Sequence, residues 1–281
     1  MRTLSDRLPP LPHDLLLIGG RVIDPETKLD AVRNVGVRDG QISFVGESIP
    51  PSVETIDATD LVVAPGFIDL HSHALDLPGM YLQVLDGVTT ALDLEGGAAP
   101  AGSTYAYMEK RRRPINFGFS AGWTHARMHV LDGVDLLDPD DAPDFVAPVE
   151  LFSIHQAGPR WRGPASSTEL TNILDVVRQQ IENGAIGIGV LLGYVPTANP
   201  AELRALAELA AGFGQPLFVH SRSMAQTGTG NAVDAVRELA DLALSTGVRS
   251  PLPSQQHLRA ASGRRGGDHR RRARPRRDAH D

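Results

Sequence analysis

"APGFIDLHSH", residues 64–73, runs an apolar stretch into two histidines spaced two apart, His71 and His73. In an extended strand, residues i, i+2 and i+4 share one face. The spacing therefore predicts Asp69, His71 and His73 on a common side. Two neutral imidazoles on one face are good zinc ligands, and each needs an acceptor for its second ring nitrogen. Asp69 is a candidate for that supporting role. Two ordinary histidines at a strand end fit the same ten residues, so the surrounding sequence must decide.

Upstream, "HDLLLIGGRVIDP" (13–25) reads as two short apolar runs around a Gly-Gly turn. "NVGVRDGQISFVG" (34–46) places Asp39-Gly40 between two β-rich runs, a hairpin signature because that dipeptide tolerates positive φ. "VETIDATDLVVAPG" (53–66) adds two more strand candidates. Residues 1–64 thus read as a small β-unit.

Downstream the rhythm changes. Strand candidates "FIDLHSH" (67–73), "VTTALDLE" (88–95), "INFGFSAG" (115–122), "AIGIGVLL" (185–192) and "PLFVHSR" (216–222) alternate with helical patterns. The helices cover residues 103–112, 166–184, 200–214 and 231–247. Ser166 and Glu169 form a capping-box pattern, Ile173, Val177 and Ile181 repeat at helical spacing, and Gly184 marks the stop. The expected architecture is α/β: the N-terminal part of a β-sandwich, then a partial (β/α)8 TIM barrel of about five βα units over residues 65–250.

Composition narrows the function classes. There is no cysteine among 281 residues, which excludes disulfides and thiolate ligands. The longest uncharged apolar stretch, residues 184–196, is too short and glycine-rich to span a bilayer. The N-terminus carries no continuous apolar segment of the secretory type, so a cytoplasmic protein is expected. Net charge is −7, yet residues 251–281 hold nine arginines, three aspartates and no lysine. The last segment is therefore read separately.

The ordered pieces "DLLLIGGRVIDPE" (14–26), "VRDGQISFVG" (37–46) and "IDATDLVVAPGFIDLHSH" (56–73) closely resemble the N-terminal signature of the amidohydrolase superfamily of metal-dependent hydrolases. The resemblance implies a sandwich plus (β/α)8 barrel, with His71 and His73 as metal ligands from the first barrel strand. Glu95, ending "GVTTALDLE", becomes a candidate to coordinate or bridge a metal, and Asp93 shares its face. His220, at the end of "PLFVH", becomes a fourth candidate ligand. One or two zinc ions are the implied cofactor. Outside the resemblance, an acidic loop and a structural histidine account for these last residues equally well.

Branches of the superfamily differ in their bridging ligand. Hydantoinases and dihydroorotases typically use a carboxylated lysine on a barrel strand. This chain has only Lys28 and Lys110, and neither ends an apolar barrel strand. "ENGAIGIGVLLGYVPTA" (182–198) and "LFVHSRS" (217–223) instead look like the N-acyl-D-amino-acid deacylases. "HALDLPGMYLQVLDGVTTALDLEGG" (73–97) and "NFGFSAGW" (116–123) look most like the N-acyl-D-glutamate deacylases. The implied reaction is hydrolysis of a linear amide in a small-molecule N-acyl-D-amino acid by zinc-activated water. Tyr194 is a possible substrate contact by that resemblance. Arg222, two residues beyond His220, is a candidate fork for a substrate carboxylate, or a rim salt bridge. His125, His129 and His155 have no comparable setting and read as structural or surface residues.

The glycines of "GIGVLLG" (187–193) lie inside a strand, which argues against a nucleotide loop. The superfamily's general base, an aspartate ending the eighth barrel strand, and its strand-six histidine have no counterpart after Gly247. His257 lacks a preceding apolar run. Residues 251–281 are read as a disordered or out-of-frame tail of a chain that stops in mid-barrel, weakly active or inactive. A basic arm on a non-catalytic remnant of the fold is the alternative. Nucleic acid is not the expected partner, and the oligomeric state is left open.

Overall fold

The structure is a computed structural model and describes residues 11–136, 148–225 and 228–253. It divides into two compact units between Phe67 and Ile68. The arginine-rich segment beyond residue 253, including His257, lies outside the described residues.

The first unit is a five-stranded sheet of β1 (His13–Asp24), β2 (Leu29–Arg38), β3 (Gln41–Gly46), β4 (Ser52–Asp57) and β5 (Val62–Val63). The order is β3-β2-β1-β4, with β5 also on β1. Asp39 (φ 52°) and Gly40 (φ 72°) turn β2 into β3 with both central residues left-handed, as a tight hairpin requires. The Gly19-Gly20 pair is a correction: it does not turn the chain. β1 runs straight through it, and the register with β2 slips between Leu17 and Gly20. The extra residue is a β-bulge, with Gly19 at φ 73° and its N–H donated to Asn34 Oδ1 (2.9 Å).

The second unit carries β6 (Phe67–Asp69), β7 (Val88–Ala98), β8 (Asn116–Gly122), β9 (Ile188–Val190), β10 (Pro216–Val219) and β11 (Arg249–Pro253). Their order in the sheet equals their order in the chain, and the pairings from β7 to β11 are parallel. A sheet that adds each new strand on one side, with no reversal, winds as a barrel; a doubly wound sheet reverses at a switch point. The fold is thus the curled part of a (β/α)8 barrel. The five strands read from the sequence before Gly247 are β6 to β10, and among the described residues β11 adds a sixth. β11, "RSPLP", holds two prolines in five residues, a composition that argues against a strand except at a sheet edge. It is the edge strand.

Between the strands lie α1 (Leu77–Leu85), α2 (Ala101–Lys110), α3 (Trp123–Asp132), α4 (Pro148–His155), α5 (Ser167–Glu182), α6 (Pro200–Gly212) and α7 (Ala232–Thr246). The Ser166–Glu169 capping box forms as expected, and Gly247 closes α7 in the left-handed conformation. Ile173, Val177 and Ile181 of α5 join Phe119, Ala121, Ile188, Val190, Leu217 and Val219 of the strands in one buried core. No helix among the described residues is long and apolar enough to cross a membrane.

Arg127 of α3 is fully buried. Its guanidinium meets Glu202 of α6 at 2.5 Å, donates to Trp161 O (2.7 Å) and donates to Gly163 O. Trp123 Nε1 donates to the same Glu202 oxygen at 2.8 Å. This network ties the segment around residues 161–163 and α6 onto α3.

Candidate metal centre

The chemistry-bearing side chains come from the C-terminal ends of β6, β7 and β10, the end at which barrel enzymes place their sites. β6 is short and stops at Asp69, so His71 and His73 follow it in a bend. The bend is held on two sides. Ser72 N–H donates to Leu92 O of β7 (3.0 Å), and Gln83 of α1 donates to Ser72 Oγ (3.1 Å) and Ala74 O (2.8 Å). The two imidazoles sit edge to face, centroids 5.1 Å apart.

Glu95 of β7 lies among the histidines. Its Oε2 is 2.8 Å from His71 Nε2 and 3.9 Å from His73 Nε2, and its Oε1 is 2.9 Å from His220 Nδ1. His71, His73 and Glu95 can each offer a ligand atom within 4.8 Å of the others. Asp93, two residues before Glu95, brings Oδ1 to 3.2 Å from His73 Nδ1.

His220 follows β10 directly. Its N–H donates to Val190 O (2.9 Å), and Gly193 N–H donates to His220 O (3.1 Å). Gly193 stands where a side chain cannot: a Cβ there would come within 2.5 Å of His220 Cδ2 and 2.8 Å of Ser221 O. The 3-10 turn Leu192–Tyr194 therefore lies flat against the histidine. Gly189 of β9 does the same for the barrel interior, since its Cβ would fall 2.6 Å from Glu95 O.

Electrostatics follow from the contacts. Burial pushes the Glu95 carboxyl up, but His220 and His71 outweigh it and hold the pKa at about 2. Glu95 is thus an anion throughout the physiological range. The Glu95 contact raises the pKa of His71, and the Asp93 contact raises that of His73.

The donor set suits a divalent cation. Glu95 Oε1 is buried and 2.9 Å from His220 Nδ1, yet it accepts no hydrogen bond of acceptable geometry. The Glu95 carboxylate and the rings of His71, His73 and His220 thus converge on one point. Imidazole nitrogens and carboxylate oxygens are the ligands of catalytic zinc.

These groups line a cavity of about 260 Å³. Tyr194 is at its wall, packed on His220 (centroids 5.2 Å) and Phe152 (5.4 Å). Leu191 and Phe152 add apolar wall. Two expected residues stand elsewhere. Asp69 accepts the main-chain N–H of His71 (3.0 Å), while the carboxylate at the His73 ring is Asp93. Arg222 forms a two-pronged pair with Glu238 (2.8 and 3.1 Å) and donates to Pro196 O and Ala198 O, so its guanidinium is spent on the scaffold. It does not line the cavity.

His125 does line it, buried on the first turn of α3 just past β8. Sequence reasoning set it aside, although an apolar strand followed by histidine is the same order that singled out His73 and His220. Phe152 gave no such signal.

The chain is similar in sequence and fold to known proteins. The sequence profile of the amidohydrolase family matches residues 54–270. N-acyl-D-glutamate deacylase of Alcaligenes xylosoxydans xylosoxydans is 27% identical over 272 residues, covering 84% of this chain and 48% of the relative. A dihydroorotase of Geobacter metallireducens is 36% identical over 105 residues, covering 37% of this chain and 23% of that protein. Among solved structures, N-acyl-D-glutamate deacylase from Bordetella bronchiseptica, crystallised with zinc and a phosphonate mimic of the tetrahedral intermediate, superposes with a TM-score of 0.65. It is 25% identical, over 85% of this chain and 50% of the other. The chain spans about half the length of the deacylases it matches.

Proposed function

The chain belongs to the amidohydrolase family, and from that premise we propose that His71, His73, Glu95 and His220 hold one or two zinc ions for hydrolysis of a linear amide. The substrate class in this reading is an N-acyl-D-amino acid, N-acyl-D-glutamate foremost. The observation that carries it is Glu95. One carboxylate divides its two oxygens between His71 on one side and His220 on the other, the disposition of a shared or bridging ligand.

A bound zinc ion supplies the Lewis acidity that polarises an acyl carbonyl and makes water a competent nucleophile near neutral pH. The residues of the chain do the rest. Glu95, ionised and buried, provides the fixed negative charge that favours a cation over protons. Leu191, Phe152 and Tyr194 form an apolar wall against which an acyl group packs, with the tyrosine as substrate contact. Among the described residues no arginine or lysine lines the cavity, so recognition of the substrate carboxylate is not assigned to Arg222. Among the described residues Asp93 and Glu95 are the carboxylates lining it, and both are engaged by histidines. Turnover by these residues alone is accordingly expected to be slow.

The linear-amide branch is favoured over the cyclic one by the lysines. Lys28 lies in the turn between β1 and β2, and Lys110 ends α2. The acidic bridge is left to Glu95. The test is thermal unfolding of the zinc-loaded chain with N-acetyl-D-glutamate, hydantoin or dihydroorotate, since a ligand that binds the native state raises its Tm. A zinc-dependent rise with N-acetyl-D-glutamate alone is expected. A rise with the cyclic amides, or one that survives chelation, contradicts the reading.

A further inference from the structure

Asp93 has a setting that a turn residue does not need. It is 2% exposed. Its Oδ1 accepts the N–H groups of Gly96 and Gly97, both at 3.1 Å, and the same oxygen lies 3.2 Å from His73 Nδ1. The turn that holds it has little freedom. Gly97 adopts φ 68°, and a Cβ there would fall 2.6 Å from Ser120 O and 2.8 Å from Gly122 N. A Cβ on Gly96 would stand 3.0 Å from Asp93 Oδ1 itself. The carboxylate is fixed from behind by two N–H donors and meets one histidine in front.

We propose that Asp93 is a positioning residue: it holds the His73 ring through Nδ1 and so presents Nε2 to the cation shared with Glu95. This rests on the metal reading above. The chemistry is that of neutral imidazole, in which one nitrogen bears the proton and the other the lone pair. A carboxylate at Nδ1 requires the proton there and leaves Nε2 for a cation. His73 Nε2 is the atom that faces Glu95 Oε2, at 3.9 Å. The period-two geometry of β7 puts ligand and positioning group on one strand face two residues apart. The sequence Asp93-Leu94-Glu95-Gly96-Gly97 therefore encodes both groups and the turn that locks one of them.

A double-mutant cycle on the full chain tests it, with zinc affinity read by competition against a chromophoric chelator. Asp93→Asn keeps the shape and the Oδ1 acceptor for Gly96, Gly97 and His73, and removes the negative charge that favours a proton on His73 Nδ1. It is expected to weaken zinc binding about 10- to 100-fold, the range typical of a lost outer-sphere partner, with little change in the Tm of the metal-free protein. In a His73→Ala background the same substitution should have almost no further effect. Equal losses in both backgrounds would show that Asp93 acts as a ligand or a turn cap, and an unchanged affinity would show no role; either overturns the proposal while leaving the metal site standing. Failure of the parent chain to bind zinc overturns both readings. A second measurement needs no Asp93 variant. Long-range 1H–15N spectra of the zinc-loaded chain should find the His73 proton on Nδ1, and a proton on Nε2 contradicts the proposal.

Discussion

Glu95 Oε1 stands 2.9 Å from His220 Nδ1, although Glu95 lies on the second strand of the sheet and His220 follows the fifth. The other oxygen of Glu95 reaches His71, after the first strand. One carboxylate thus joins three strand ends. Glu95→Gln preserves the size of the side chain and removes its charge. Zinc affinity, measured by chelator competition, should fall by more than the about 10- to 100-fold that loss of an outer-sphere partner costs.

Gly193→Ala should injure the site without touching a candidate ligand. The added methyl would meet His220 Cδ2 at 2.5 Å and Ser221 O at 2.8 Å, so the ring or the turn must shift. The expected result is weaker zinc binding, with the secondary structure seen by circular dichroism unchanged.

The pH dependence of metal binding has a definite sign. Protons and a cation compete for the same histidine nitrogens. Contacts with Glu95 and Asp93 raise the pKa values of His71 and His73 above the ordinary 6.5. Raised values mean that the metal-free site holds its protons to higher pH. Affinity should therefore still be climbing in the interval above the ordinary imidazole pKa of about 6.5. Chelator competition across that interval reads it.

Stability rests on a different pair. Glu202→Ala leaves the Arg127 guanidinium buried beside a vacated partner position, and removing one partner of a buried pair typically costs about 3–5 kcal/mol. Urea unfolding should show that loss. Replacing Arg127 and Glu202 together by apolar residues should recover much of it, because the uncompensated charge disappears.

Much of this was legible in the sequence because strand ends and turn chemistry leave local marks. The order of apolar run, then histidine, singled out His71, His73 and His220, which the structure brings to Glu95. The capping box at Ser166–Glu169 and the Asp39-Gly40 hairpin formed as expected. One error and one omission have physical causes. Gly19-Gly20 has the composition of a turn, yet a bulge asks for the same positive φ, and only the pairing of β1 with β2 distinguishes them. β11 lacks the alternation of a strand and is made by its neighbour β10. The sequence left the roles of Arg222 and Asp93 open for one reason. Sequence shows which residues share a strand face, but not which partner across the fold claims each one: Glu238 claims Arg222, and His73 meets Asp93.

The central claim is that His71, His73, Glu95 and His220 hold a metal. The direct measurement is elemental analysis of the purified full chain after zinc loading and dialysis, beside His71→Ala and His73→Ala. The account expects one or two zinc ions per chain in the parent and a clear loss in each variant. Equal zinc in all three proteins, or none in the parent, would contradict it.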